Sequence, residues 1–158
     1  MVRRSEALVL GDAGRQAVHN GLEAKAYTRD RLVRLGYGLL RRLPEASQQP
    51  FFLMDWRSPY LTPYGTPLVP DFYVWHGEKH PHGLIIEHKY QDKAGSADHK
   101  LHFTVASLKA TGKPVMLVMT GVGFSEGARW YCQQAQDRRF TVVESLDAWA
   151  ALLNRGLL

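Results

Sequence analysis

Apolar residues recur at helical spacing near the start of the chain and again in its second half. Residues 14 to 35 carry a stripe with a period near 3.6, which predicts an amphipathic helix that Gly36 can end in a left-handed conformation. The stripe consists of Val18, Leu22, Ala26, Leu32 and Leu35. Ser96 is a plausible N-cap for a second helix over residues 96 to 110, and further helices are predicted over residues 126 to 136 and 146 to 154.

Short apolar runs between these helices predict strands over residues 51–56, 72–75, 84–90, 115–119 and 140–143. Residues 77–83 read as a turn, and residues 37–43 are compatible with either a helical piece or a first strand. The order of helix, strand meander and alternating helices and strands predicts an α/β sandwich around a mixed sheet. Repeats, low-complexity tracts and Gly/Ser linkers are absent from the sequence, so residues 1–158 are predicted to form a single domain.

Polar residues interrupt the strand over residues 84–90 at its C-terminal end. Because strand side chains alternate between faces, Glu87, Lys89 and Gln91 project on one side and the apolar even-numbered residues on the other. His88 is therefore expected to pack rather than to take part in chemistry through its side chain. A solvent-facing strip with an ordinary Glu–Lys pair is the alternative.

An aspartate at the start of the preceding strand changes this picture. Asp71 lies 16 residues before Glu87, a natural hairpin separation, and adjacent strands lie about 4.8 Å apart. Two carboxylates placed side by side repel each other unless a cation lies between them, and hard oxygen ligands suit Mg²⁺. Lys89 could then orient a water molecule or stabilise charge on a phosphate. The polar helix N-terminus over residues 95–98 offers free N–H groups to an anion.

The net charge of +5 lies entirely in the first quarter of the chain. Residues 1–44 contain nine Lys and Arg but four Asp and Glu, and 9 − 4 = +5. Such a segment, which includes Arg31 and Arg34, favours a polyanionic partner. A solvated basic helix face is the alternative.

Other features of the composition exclude some classes of protein. The apolar runs are too short to cross a bilayer or to form the core of a secretory signal. A single cysteine, Cys132, allows no internal disulfide and suits a reducing compartment. The sequence therefore predicts a soluble cytoplasmic protein without a membrane partner.

Pro70-Asp71, the intervening turn and Glu87-His88-Lys89 follow the pattern Pro-Asp…(Asp/Glu)-x-Lys. The chain thus resembles the PD-(D/E)XK nuclease superfamily, whose restriction-endonuclease-like αβββαβ core fits residues 14 to 120. The resemblance implies a metal-dependent DNA endonuclease in which Asp71 and Glu87 bind Mg²⁺, or Mn²⁺ in its place. It implies the main-chain carbonyl of His88 as a further metal ligand and Lys89 as the residue that assists the attacking water.

The resemblance also suggests supporting residues. Some family members add a helical glutamate, for which Glu23 is the candidate here, although a solvated Glu23 is equally compatible with the sequence. Gln91 could bridge to water or phosphate, and Ser96 and Lys100 could contact a phosphate. Small nucleases of this class often dimerise, so a homodimer is expected, and no small-molecule cofactor is implied.

Several alternatives remain open on the sequence alone. The nuclease could be of the restriction or homing type or specific for a DNA structure. The loop that contains Arg57 could contact DNA, or its aromatic residues could simply pack it down. The fold could also serve as a non-catalytic nucleic-acid-binding or assembly module. Six of the seven histidines lie between His76 and His102, so a zinc site is a further hypothesis.

Overall fold

The structure is a computed structural model that describes residues 21–94 and 98–158, and the side chains of residues 21–23 lie outside that description. The elements in chain order are α1 (Gly21–Arg34), β1 (Gly38–Leu40), β2 (Phe51–Met54), β3 (Phe72–His76), β4 (His80–Tyr90), α2 (Asp98–Ala110), β5 (Val115–Thr120), α3 (Glu126–Gln134), β6 (Phe140–Val143) and α4 (Leu146–Asn154).

The six strands form one mixed sheet in the order β1-β2-β3-β4-β5-β6. Strands β2, β3 and β4 form an antiparallel meander, whereas β1 runs parallel to β2, and β5 and β6 run parallel to β4. The predicted α/β architecture with a mixed central sheet is thereby confirmed. Among the described residues, none of the helices is long and apolar enough to cross a membrane.

Side chains on the two faces of the sheet build two separate apolar clusters. On one face, Phe72 and Ile86 pack with Leu32 of α1 and Trp149 of α4. On the other face, the alternate strand residues, such as Ile85, pack against the predicted stripe of α2. That stripe consists of Leu101, Val105 and Leu108. Helices therefore cover both faces, and β4 runs through the middle of the molecule.

The buried stripe of α1 differs from the prediction. Leu32 is fully buried as expected, but Leu35 lies just past the helix and is 40% exposed, and the buried face consists of Ala24, Thr28 and Leu32. Periodicity of apolar residues missed Thr28 because its hydroxyl is polar, yet interior hydrogen bonds satisfy that hydroxyl. Val18 lies outside the described residues, as does the side chain of Leu22.

Two strand boundaries differ from the prediction by more than one residue. Strand β2 ends at Met54 rather than at residue 56, because Asp55 adopts a positive φ of 47° that no regular strand contains. Strand β4 begins at His80 rather than at residue 84, so the turn is shorter than the predicted 77–83. Gly83 lies inside the strand with a φ of 84°, where a Cβ atom would collide with the hydroxyl of Tyr73. Helix α3 ends at Gln134, two residues before the predicted end.

Candidate active site

Asp71 and Glu87 lie side by side where β3 begins opposite β4. Phe72 pairs with Ile86 in the antiparallel register, so the residues just outside that pair, Asp71 and Glu87, face each other. Both carboxylates are buried, at 6% and 8% exposure. The structure thus brings these two residues together as the hairpin separation predicts.

The main chain of each strand holds the carboxylate of the other. The Asp71 N–H donates to Glu87 Oε2 at 3.0 Å. The His88 N–H in turn donates to Asp71 Oδ2 at 2.8 Å. Each carboxylate therefore has one oxygen fixed by a backbone donor, which sets its orientation without any other side chain.

The second oxygen of each carboxylate contacts a lysine. Lys89 Nζ donates to Glu87 Oε1 at 2.7 Å, and Lys25 of α1 forms an ion pair with Asp71 Oδ1. Lys25 also lies 3.8 Å from Asp55 at the end of β2. Two buried negative charges are thus balanced by two ammonium groups, one on the same strand and one on a helix.

Burial dominates the electrostatics of this pair. Desolvation and the charge of Asp71 raise the pKa of Glu87, while Lys89 acts in the opposite direction. Partial burial by itself would lower the pKa of Lys25, but the hydrogen bond and charge of Asp71 raise it overall. The two carboxylates therefore repel each other in the folded protein, and a cation bound between them could relieve this repulsion.

His88 points to the opposite face of the sheet, as predicted. Its ring packs edge-on against Phe72 and Trp149, and its Nε2 lies 2.9 Å from the hydroxyl of Thr28. The same hydroxyl accepts a hydrogen bond from Trp149 Nε1 at 2.9 Å. Burial lowers the pKa of His88 to about 3, with a smaller contribution from Lys25, so this imidazole stays neutral. The His88 side chain therefore belongs to the core.

Gln91 contacts a loop rather than the carboxylate pair. Its Nε2 donates to the carbonyl of Gly123 at 2.9 Å, and the Gly123 N–H donates back to the Gln91 carbonyl at 2.8 Å. A Cβ atom at Gly121 would clash with that same carbonyl, so this close approach requires glycine. Gln91 thus anchors the loop after β5. Its predicted contact with water or phosphate stays a prediction.

The remaining predicted residues are spread around the molecule. Lys100 is exposed on α2 and lines a groove together with Lys89. Arg57 is exposed in the loop between β2 and β3, and Arg34 is exposed on the last turn of α1, which also carries the half-buried Arg31. Ser96 lies outside the described residues. Glu23 belongs to α1, but its side chain lies outside the description.

Sequence reasoning missed Lys25, Thr28 and Trp149. These three residues lie on the two helices that cover one face of the sheet. Thr28 and Trp149 are each 60 or more positions from His88 in the sequence. The usable signal was the spacing of Ala24, Thr28 and Leu32, which places Thr28 on the buried side of α1. Lys25 adjoins that face, within reach of the carboxylate pair.

The donor set of this site suits magnesium. Within residues 21–94 and 98–158, three or more His, Cys, Asp or Glu side chains nowhere gather closely enough to hold a metal ion. A histidine-based zinc site would need such a group. Mg²⁺ commonly binds through only one or two carboxylates and completes its shell with water and substrate phosphate oxygens. Asp71 and Glu87 meet that requirement.

Comparison with known proteins identifies one family. The family model of the PD-(D/E)XK nuclease superfamily domain matches residues 11–155, which is most of the chain. Searches of curated proteins and of solved structures returned no match. The matched range contains every strand and helix described above.

Proposed function

The chain belongs to the PD-(D/E)XK nuclease superfamily, whose members generally hydrolyse phosphodiester bonds, and we propose that it cleaves DNA in a Mg²⁺-dependent reaction at Asp71, Glu87 and Lys89. The observation that carries this proposal is the reciprocal bonding of the carboxylate pair. Backbone donors fix Asp71 Oδ2 and Glu87 Oε2, so Oδ1 and Oε1 remain directed at cations. Mn²⁺ would substitute for Mg²⁺ because both accept carboxylate oxygens.

The strand geometry supports the His88 carbonyl as a further ligand. The N–H groups of Ile85 and Gln91 donate to Pro114 and Thr120 on the β5 side. Main-chain groups of odd-numbered residues therefore point to β5, and those of even-numbered residues point away from it. The His88 N–H accordingly reaches Asp71, and its carbonyl lies on the same side because both groups of a strand residue point in one direction.

In hydrolysis, water adds to phosphorus and the bond from phosphorus to the leaving oxygen breaks, which yields a phosphate monoester and a hydroxyl. Mg²⁺ at this site would supply Lewis acidity to the phosphate and would lower the pKa of a bound water molecule. Asp71 and Glu87 would hold the metal. The Lys89 ammonium, next to Glu87, orients the attacking water and stabilises negative charge that develops on the phosphate oxygens.

A non-catalytic nucleic-acid-binding module is the second candidate. It is favoured by the presence of Lys25 and Lys89, since their ammonium groups already balance both carboxylates without a metal. In that case DNA would bind with salt-sensitive affinity and remain intact.

DNA cleavage distinguishes these two functions. Wild type, Glu87→Ala and Lys89→Ala are incubated with supercoiled, linear and branched DNA in Mg²⁺ or Mn²⁺. Glu78→Ala, an exposed residue of the turn between β3 and β4, serves as the matched control. We expect cleavage by wild type and by the control, and losses of roughly 10²–10³-fold in the two site variants. Cleavage that survives both substitutions would refute the site, and intact DNA with retained binding would favour the binding module.

A further inference from the structure

A groove opens beside Lys89, the lysine that contacts Glu87, on the face of the sheet covered by α2. Lys89 of β4, Leu101 and Phe103 of α2, Phe124 of the loop after β5 and Tyr64 of the loop before β3 contribute to its walls. Its volume of about 560 Å³ falls in the range of small-molecule sites, about 300–1,000 Å³. Space of this size is sufficient for a nucleobase with part of its sugar.

An exposed aromatic ring, that of Tyr64, forms part of the groove wall. Tyr64 stacks on Phe103 with ring centroids 4.7 Å apart and an interplanar angle of 29°, yet Tyr64 is 81% exposed. Only one face of the Tyr64 ring is therefore covered. Within the described residues, the other face remains exposed to water. Exposed aromatic rings of this kind offer a platform on which a nucleobase can stack, whatever its identity.

Two lysines line the same groove as this aromatic platform. Lys89 and Lys100 line the groove with His99 and His102, and none of the described residues that line it is acidic. Ammonium groups next to apolar rings suit a nucleotide, since its phosphate is anionic and its base is flat and apolar on both faces. An apolar peptide side chain would contact the rings but would offer no anion to the exposed Lys100.

The position of the groove relates it to the cleavage site. Lys89 lines the groove and also contacts Glu87 Oε1 at 2.7 Å. A nucleotide in the groove would therefore adjoin a phosphate held at the carboxylate pair. A base inside a duplex is paired and stacked, so it reaches such a recess only when it is unpaired or rotated out of the helix.

We propose that this groove binds one unpaired nucleobase of the substrate strand, stacked on Tyr64, next to the phosphodiester that is cleaved. The substrate is then single-stranded, gapped or branched DNA rather than a continuous duplex read by sequence. This inference rests on the proposed nuclease function, and its test must distinguish the failure of one from the failure of the other.

The test measures binding in EDTA, so that neither metal nor cleavage is required. Two DNAs of the same sequence carry the fluorescent base 2-aminopurine, unpaired in a gap in the first and paired in a continuous duplex in the second. Stacking on Tyr64 quenches the unpaired reporter. We expect tighter binding of the gapped DNA, and Tyr64→Ala should weaken that binding by about 5- to 100-fold while changing duplex binding by less than about twofold.

Two control variants accompany Tyr64→Ala. Tyr64→Phe keeps the ring and should retain quenching, whereas Trp130→Ala removes an aromatic ring that is 64% exposed on α3, outside the groove, and should have no effect. Tyr64 is so exposed that its substitution leaves the core intact. Equal binding of both DNAs, or quenching that persists in Tyr64→Ala, overturns the proposal.

The same proteins assayed in Mg²⁺ identify which of the two inferences fails. Cleavage that depends on Glu87, without quenching that depends on Tyr64, refutes the base-binding groove and leaves the nuclease in place. Quenching that depends on Tyr64, without cleavage of any DNA, supports the groove and refutes the nuclease.

Discussion

Glu87 and His88 are neighbours on β4 and are buried to nearly the same extent, yet their surroundings differ completely. On one face, Glu87 lies against a second carboxylate and a lysine. On the other face, His88 lies among Phe72, Thr28 and Trp149. Burial shifts both pKa values toward the neutral form, but only Glu87 has a charged partner that opposes the shift.

The comparison shows that one face of β4 carries the candidate site and the opposite face packs in the core. The face of His88 packs against two helices, and its neutral ring contacts the Thr28 hydroxyl through Nε2, so this face anchors β4. The face of Glu87 keeps two like charges together, an arrangement that costs stability and is typical of functional sites. The His88 main chain links the two faces, because its N–H holds Asp71 while its ring packs in the core.

The largest expected effect is a loss of DNA cleavage when the buried carboxylate of Asp71 is replaced, compared with the nearby exposed carboxylate of Asp55. Asp71→Asn removes the charge from the site and should reduce Mg²⁺-dependent DNA cleavage by on the order of 10²–10³-fold. Asp55→Asn is the matched control, because Asp55 contacts the same lysine but its side chain is 66% exposed. Asparagine also tolerates the positive φ at that position. Initial cleavage rates measure both, and equal losses would show that the pair has no special role.

A substitution at Thr28 tests the face of the sheet on which His88 packs. Thr28→Val deprives both Trp149 Nε1 and His88 Nε2 of a partner in the core, so we expect a loss of about 1–3 kcal/mol in the free energy of unfolding. Thr28→Ser keeps the hydroxyl and should retain most of that stability. Denaturant unfolding gives the stability, and cleavage per folded molecule should change little. A variant that remains fully stable but cannot cleave DNA would show that the two faces are not separate.

A smaller effect concerns the pH dependence of stability without metal. The pKa of Glu87 is raised in the folded protein, so its contribution is favourable below the usual pKa of glutamate and is lost as the pH rises through the folded value. Glu87→Gln does not titrate, so its free energy of unfolding should exceed that of wild type by a margin that grows toward neutral pH. Thermal unfolding in EDTA from about pH 4 to pH 8 measures this difference. A difference that shrinks as the pH rises would contradict the assignment.

Much of this arrangement followed from local patterns in the sequence. Strand alternation placed Glu87 and Lys89 on one face and His88 on the other, and the hairpin separation brought Asp71 to Glu87. These inferences need only the geometry of two neighbouring strands. The apolar stripe of α2 was equally visible because Leu101, Val105 and Leu108 recur at helical spacing.

The rest depends on contacts between distant parts of the chain. Lys25 reaches Asp71 from a helix whose position over the sheet is fixed by tertiary packing, and no local pattern specifies it. Tyr64 meets Phe103 across 39 positions, so the groove is invisible to periodicity. The early start of β4 was missed because Pro81 and Gly83 favour a turn, whereas pairing with β3 extends the strand.

Calorimetric titration with Mn²⁺ in the absence of DNA tests the central claim most directly, namely that Asp71 and Glu87 together bind a divalent cation. We predict saturable binding to wild type, loss of that binding in Glu87→Gln, and binding about tenfold tighter in Lys25→Met, because the ammonium no longer competes for Asp71 Oδ1. Arg29→Met, which removes an exposed cation from the same helix, should match wild type. Wild type that binds no Mn²⁺, or Glu87→Gln that binds it as tightly as wild type, would contradict the account.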